Sequence, residues 1–186
     1  MTNALQSGFS LIELLVVLAI AGIFVTMAAP SFNEMVQNGK IDDSHNSLVA
    51  ALIYTRSEAI TRRQPMTLCR SSDSTSCGGN WEDGWIAFVD IDGDASVDAG
   101  DGDQVVRLRQ ALNNGVTIRG NGNNSNRVTY AAQGNTTNNG TFRVCDARGA
   151  TEASGLVIAM TGRVRRAIDS DDNGVVEDGS GDITCP

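Results

Sequence analysis

The densest basic site in the sequence is Gly162-Arg163-Val164-Arg165-Arg166. Successive side chains of a strand point to opposite faces, so a strand here would place Arg163 and Arg165 on one face and Arg166 on the other. Two arginines at that spacing could contact successive phosphates of double-stranded DNA, which gives salt-sensitive binding without sequence preference. Four further arginines are candidates to extend this site: Arg119, Arg127, Arg143 and Arg148.

A structural alternative is that these arginines pair with the acidic run Asp169–Asp182 that follows them directly. The formal net charge of −8 argues against a protein whose whole surface binds nucleic acid. Fourteen of the 22 acidic residues, however, fall in Glu82–Asp103 and Asp169–Asp182, which contain no Lys or Arg. Two interpretations stay open: two solvated acidic loops on an ordinary surface, or a local basic face that the net charge conceals.

Both acidic stretches contain oxygen ligands at spacings that calcium could use. The candidates in the first stretch are Asp90, Asp92, Asp94, Asp98 and Asp101. Its glycine, Gly93, stands at the fourth loop position instead of the sixth that an EF-hand requires. The loop Asp169–Gly174 has the sixth-position glycine, but Ser180 replaces the bidentate glutamate. Solvated turns are therefore favoured over calcium sites, and no cofactor is expected.

The chain has four cysteines, none of them in the CxxC spacing of a zinc or thioredoxin-type site: Cys69, Cys77, Cys145 and Cys185. An even count behind an export-like segment indicates disulfides formed in an oxidising compartment. Three pairings are possible, and four buried free thiols are the alternative. We favour Cys69–Cys77, which closes a polar loop, and Cys145–Cys185, which attaches the C-terminal tail to the body.

No arrangement of residues supports hydrolytic or redox catalysis. The single histidine, His45, lies in a predicted helix, and no phosphate-binding GxxxxGK[ST] loop occurs. The sequence therefore predicts a protein that is not an enzyme.

The elements that position these residues begin with an apolar run, Phe9–Ala29, that contains one charged residue, Glu13. As a helix it is long enough to cross a bilayer core. A cleaved secretory signal is disfavoured because the leader Met1–Gly8 has no Lys or Arg and because an acid lies inside the run. A carboxylate at that depth implies a partner or a function.

The helical pattern continues through residues 30–64, with a kink expected at Pro30 and an end at Pro65. Short strand-like runs divided by Gly, Asn and Asp clusters follow. The predicted strands are Met66–Arg70, Trp85–Asp90, Gln104–Leu108, Val116–Arg119, Arg127–Ala132, Thr141–Cys145, Leu156–Met160 and Val164–Ile168. One long helix followed by strands predicts an α+β fold, with an antiparallel sheet packed on the apolar stripe of the helix.

The segment Gly8-Phe9-Ser10-Leu11-Ile12-Glu13-Leu14 resembles the class III signal of type IV pilins and type II secretion pseudopilins. The resemblance implies that prepilin peptidase cleaves after Gly8 and that Phe9 is then N-methylated. It also implies that Glu13 pairs with the Phe9 amino group of a neighbouring subunit during assembly. The implied organisation is a leader (1–8), a transmembrane and assembly helix (9–29), an amphipathic helix half (30–64) and a globular β-rich domain (65–186).

Downstream, the pattern W-x-x-G-W-x-x-F-x-D from Trp81 to Asp90, the late Gly-Arg-x-Arg and the final Cys185 resemble minor pilins of the GspH/FimT class. The resemblance implies a pilin-like fold and a single-pass inner-membrane protein with a periplasmic domain. Such a subunit enters an extracellular type IV pilus, in its tip or priming complex, through contacts with minor and major pilins. Two alternatives are a GspH-like pseudopilin of type II secretion, and a minor pilin that captures double-stranded DNA through Arg163 and Arg165 in natural transformation.

Overall fold

A single long helix opens the described part of the chain. The computed structural model describes residues 10–98, 100–112 and 115–186, with the backbone alone at 25–30. Helix α1 spans Leu11–Arg62, which confirms the predicted long N-terminal helix. The chain divides into two compact units, one ending at Asn38 and one comprising Gly39–Pro186.

In the unit that ends at Asn38, helix α1 exposes a nearly continuous apolar surface. The exposed large apolar side chains are Leu11, Ile12, Leu14, Leu15, Val16, Val17, Leu18, Ile20, Ile23, Phe24, Phe32, Met35 and Val36. A search of the described residues identifies no helix with the length and apolarity needed to cross a membrane. The predicted span 9–29 extends beyond the side chains that the structure describes and stays a prediction.

The unit Gly39–Pro186 contains all eight predicted strands, arranged in two sheets instead of the single expected sheet. Sheet A has the order β3-β2-β1-β5 and sheet B the order β4-β6-β7-β8, and every pairing is antiparallel. The strands are β1 (Met66–Arg70), β2 (Gly84–Val89), β3 (Gln104–Gln110), β4 (Thr117–Gly120), β5 (Arg127–Tyr130), β6 (Gly140–Cys145), β7 (Ser154–Ile158) and β8 (Val164–Arg166).

Both sheets contribute to one hydrophobic core with the second half of α1. Leu48 and Leu52 of the helix are fully buried in the same cluster as Leu68 of sheet A and Phe142 of sheet B. Burial of a leucine-sized side chain contributes about 1.5–3 kcal/mol, so these helix positions are a main source of stability. The helical spacing of the apolar residues predicts most of this buried face, although Ile60, which shares the spacing, is exposed.

Arginines at the two outer sheet edges bind the exposed flank of the same helix. Arg109 of edge strand β3 pairs with Asp43 at 3.2 Å, and Arg166 of edge strand β8 pairs with Asp42 at 3.4 Å. Exposed pairs of this kind contribute about 0–1 kcal/mol each. Their main effect is on orientation, since adjacent helix residues contact opposite sheets.

Two disulfides close the domain, in the pairing that the sequence favours. Cys69–Cys77 ties the loop after β1 to that strand, and Cys145–Cys185 ties the C-terminal tail to β6. A disulfide typically stabilises a fold by about 2–4 kcal/mol. The second bond closes the longer segment, with a sequence separation of 40.

His45 is a core residue at the junction of helix and sheet B. Its Nδ1 atom lies 2.9 Å from the hydroxyl of buried Ser154, at the start of β7. Burial, and secondarily the positive charge of Arg166, hold the pKa of His45 below its ordinary value, while Asp42 acts in the opposite direction. The folded domain therefore contains neutral His45.

This depressed pKa predicts that acid weakens the fold through His45. In the unfolded chain the imidazole has a pKa of about 6.5. The unfolded state therefore binds a proton first, and the free energy of unfolding falls as pH drops from about 6.5 toward the lower folded-state pKa. Urea unfolding of the wild type and of His45→Gln should show a steeper loss for the wild type over that window. Equal pH slopes for the two proteins would contradict this role.

Candidate functional site

Arg163 lies in the tight turn between β7 and β8, and Arg165 lies in β8 itself; residues 159–165 are here called the basic turn. Within it Ala159 N–H donates to the Arg163 carbonyl at 3.0 Å and Gly162 N–H donates to the Ala159 carbonyl at 2.8 Å. Gly162 has φ +76°, and a Cβ at this position would lie 2.0 Å from the Gly134 carbonyl oxygen. The first residue of the Gly-Arg-x-Arg motif must therefore be glycine for two independent steric reasons.

Gly162 packs against the carbonyl of Gly134. Gly134 belongs to a second turn, residues 131–135, which follows β5 of sheet A and is here called the glycine turn. Gly134 N–H donates to the Ala131 carbonyl at 2.7 Å, and Gly134 has φ +81°. Directly after this turn, Thr136 N–H donates to the Met160 carbonyl at 3.0 Å. One turn from each sheet thus meets the other through backbone atoms.

Helix α1 supplies a third component, the half-buried Arg56. Its Nε donates to the Gly134 carbonyl at 2.8 Å and its Nη2 donates to the Thr161 carbonyl at 3.2 Å. The charge of Arg56 also affects Tyr130, at the end of β5. Burial raises the pKa of the Tyr130 phenol, and the positive charge of Arg56 partly offsets that rise. No motif in the sequence points to Arg56, and its partners are distant along the chain.

Arg163 and Arg165 line one shallow hollow of about 200 Å³, together with Ala159, Thr161 and Val164. Both side chains are exposed, and neither lies within ion-pair distance of a carboxylate among residues 10–98, 100–112 and 115–186. For these two arginines, the alternative of pairing with the run Asp169–Asp182 therefore does not hold among the described carboxylates.

Arg166 belongs to a different environment. It pairs with Asp42 of the helix. The alternation of strand side chains predicts this separation of Arg166 from its two neighbours.

The four arginines predicted to extend the site do not gather around the basic turn. Arg119 pairs with Glu82 at 2.5 Å, Arg148 pairs with Asp146 at 2.8 Å, and Arg143 donates to the Thr184 carbonyl at 3.1 Å. Arg127 lines a different hollow, next to Arg70. Local carboxylates and carbonyls engage three of these four residues, so the candidate basic site is limited to Arg163 and Arg165.

In the first acidic loop, only part of the predicted ligand set comes together. Carboxylate oxygens of Asp90, Asp92 and Asp103 lie within 4.8 Å of one another, whereas the predicted ligands Asp94, Asp98 and Asp101 are outside that group. Asp90 and Asp103 are buried and accept hydrogen bonds from Thr67 Oγ1 at 2.5 Å and from Ile91 N–H at 2.9 Å. The loop is therefore less solvated than expected, and it packs Val97 against Cys69, Ile86 and Phe88 on the outer face of sheet A.

The second acidic loop brings together Asp169, Asp171 and Glu177, again within 4.8 Å. Hydrogen bonds hold the pKa of Asp169 below its ordinary value. The bond from Gly174 N–H, at 2.7 Å, contributes most to this lowering. These carboxylates already accept bonds from their own loop. Calcium at either loop stays the less favoured alternative from the sequence.

The tryptophan pattern connects the two sheets. Trp81 is buried, donates from Nε1 to the Ser125 carbonyl at 2.9 Å and meets the Phe142 ring edge to face at 4.9 Å. Gly84 has φ +125° and brings β2 so close to β3 that a Cβ would lie 2.4 Å from the Arg109 carbonyl. This part of the motif is therefore structural.

The residues of the predicted processing site are at the start of the chain. Gly8 and Phe9 lie outside the described residues. Glu13 lies in the first turn of α1 and its side chain is exposed.

The close contact of the two turns predicts that Gly162→Ala is unusually destabilising. Gly149→Ala is a matched control, because Gly149 also has positive φ but has open space around a Cβ. Backbone strain common to both costs about 1–3 kcal/mol, and Gly162→Ala must in addition separate the basic turn from Gly134. Urea unfolding should give a clearly larger loss for Gly162→Ala, and equal losses would contradict the contact.

Comparisons with known proteins identify the family. Residues 45–162 match the family described as type II transport protein GspH, and residues 3–29 match the prokaryotic N-terminal methylation motif. A fimbrial protein of Dichelobacter nodosus is 32% identical over 105 residues, which cover 53% of this chain and 62% of that protein.

The fold is similar to that of a solved pilin. Crystal structures of the type IV minor pilin FimU of Pseudomonas aeruginosa in two crystal forms align with TM-scores of 0.55 and 0.53, at 21% and 20% identity. The two alignments cover 71% and 69% of this chain, and 91% and 93% of the FimU chains in those structures. Since the GspH match spans more than half of its length, the chain belongs to the GspH family, and it has the N-terminal methylation motif.

Proposed function

We propose that this protein is a minor pilin of a type IV pilus. Prepilin peptidase processes it, and it then enters the initiating or tip complex of the pilus. The observation that carries the proposal is the apolar surface of α1 from Leu11 to Phe24, interrupted by one carboxylate, Glu13. An exposed apolar surface of this extent requires an apolar environment or partner helices. Packing among pilin helices supplies that partner.

Glu13 gives the packing a defined register. A carboxylate in an apolar environment is costly unless it is paired. In the proposed assembly its partner is the amino group of Phe9 in the adjacent subunit, which cleavage after Gly8 would create. Both residues come from the matched N-terminal methylation motif.

Before assembly, the segment 9–29 anchors the subunit in the inner membrane as a single pass, with the β-rich domain in the periplasm. The two disulfides support an oxidising compartment for this domain. The domain acts through contacts with minor and major pilins, without a cofactor and without catalysis.

The alternative machine is a type II secretion system, in which a GspH-like pseudopilin would use the same assembly chemistry. The name of the matched family favours secretion, whereas the D. nodosus relative is a fimbrial protein. We favour the pilus because that relative is the more specific match, at 32% identity.

Processing is tested by the intact mass of the protein after co-expression with a prepilin peptidase. The wild type should lose Met1–Gly8 and gain one methyl group, and Gly8→Val should keep its full mass. Gly22→Ala is the matched control, because a Cβ at this helix position meets no atom within 4 Å. An uncut wild type in the presence of active peptidase would contradict the assignment.

A second candidate function is capture of double-stranded DNA. The specific observation is that Arg163 and Arg165 are exposed on one hollow and lack ion-pair partners among the described residues. Arginine forks without carboxylate partners are suited to phosphate contacts. The neighbouring acidic loops limit the footprint, so binding depends on these two residues.

The DNA function predicts that Arg163→Gln with Arg165→Gln weakens binding and lowers its salt dependence. Two lost phosphate contacts should reduce the slope of log affinity against log salt by about 2. Arg70→Gln with Arg127→Gln removes the same charge from a different hollow and should keep the wild-type slope. If both double variants had equal effects, Arg163 and Arg165 would act only through the net charge of the protein. A parallel loss of piliation would make the two arginines structural.

A further inference from the structure

We propose that Arg56 is the positioning residue of the Arg163/Arg165 site: its guanidinium fixes the basic turn against the glycine turn and so sets where the two arginines point. The inference rests on the second candidate function, DNA capture. It adds a helix residue to a site that the sequence places entirely in the turn.

The contact that Arg56 stabilises is also supported by the hydrogen bond from Thr136 N–H to the Met160 carbonyl and by the Ile60 side chain beside Gly134. The short strand β8 has three residues, Val164–Arg166, and lies at the edge of sheet B. Arg56 adds one charge-assisted hydrogen bond to each turn, and such bonds are stronger than those between neutral groups.

The shape of the guanidinium matters as much as its charge. Nε and Nη2 point in different directions of one rigid plane, and each reaches the carbonyl of a different turn, Gly134 and Thr161. A lysine ammonium on a flexible stem keeps the charge but does not reproduce this planar fork. Arg56→Lys thus separates geometry from net charge.

Arg56 acts through the turn and not by touching the ligand. It is half-buried, and both hydrogen bonds use its nitrogens on carbonyls of the domain itself. The hollow that Arg163 and Arg165 line does not include Arg56. Loss of the fork should consequently change the affinity without changing the number of phosphates contacted.

The test uses the full chain in nonionic detergent with a short DNA duplex, titrated over salt. Arg56→Lys should weaken binding by about tenfold, the effect of one lost charge-assisted hydrogen bond, and Arg56→Met, which loses both bonds, by at least as much; both should keep the wild-type salt slope. Arg163→Gln should instead lower the slope by about 1. Arg62→Lys is the matched control, because Arg62 lies on the same helix and pairs with Glu58, four residues earlier in that helix.

Amide hydrogen exchange supplies a readout that does not depend on DNA. The Gly162 and Ala159 N–H groups should exchange faster in Arg56→Lys than in Arg62→Lys, with core amides such as that of Leu156 unchanged. Arg56→Met retains part of the aliphatic stem and serves as the second variant if the lysine variant does not fold.

The outcomes separate the positioning role from the DNA function. Wild-type affinity and unchanged turn exchange in the Arg56 variants would overturn the proposal. A salt slope lowered by about 1 in Arg56→Lys would make Arg56 a direct phosphate contact and also overturn it. If the wild type binds no DNA at low salt, the candidate function fails; faster turn exchange would then still support positioning, and unchanged exchange would refute it.

Discussion

One buried face of α1, within the unit Gly39–Pro186, is the constraint on which the rest of that domain depends. Leu48 and Leu52 of this face pack in a single core with both sheets, and β5 and β7 each continue into a turn that Arg56 binds. Because two separate sheets share one helix surface, a shift of the helix would move both. The ion pairs of Asp42 and Asp43 with opposite edge strands and the bond between His45 and Ser154 act on the same element.

The candidate basic site follows from that arrangement. Arg163 and Arg165 keep exposed side chains without an ion pair among the described residues, whereas Asp42 binds Arg166 and Asp169 accepts hydrogen bonds from its own loop. The basic turn is held by backbone contacts and by one arginine from the helix. Its geometry is therefore sensitive to a residue that is 105 positions away from Thr161 in the sequence.

The local features of this fold were predictable from the sequence, and the long-range ones were not. Alternation and turn residues predict every strand, and strand alternation also separates Arg166 from Arg163 and Arg165. The division into two sheets depends on which strands pair, as when β5 joins β1 instead of β4, and no local pattern encodes that choice. Arg56 and Asp103 were missed for the same reason, since their roles arise from partners brought together by folding. The favoured pairing Cys145–Cys185 is confirmed, but the sequence alone leaves three pairings open, since the distance between cysteines is set by the fold.

The central claim is that the chain functions as a filament subunit and that Glu13 determines its incorporation. The most direct measurement is the amount of processed subunit in sheared pili from cells expressing Glu13→Gln, beside Glu34→Gln, which removes an exposed carboxylate from the same helix. We expect Glu13→Gln to be cleaved but absent from the pili, and Glu34→Gln to be incorporated like the wild type. Wild-type incorporation of Glu13→Gln would contradict it.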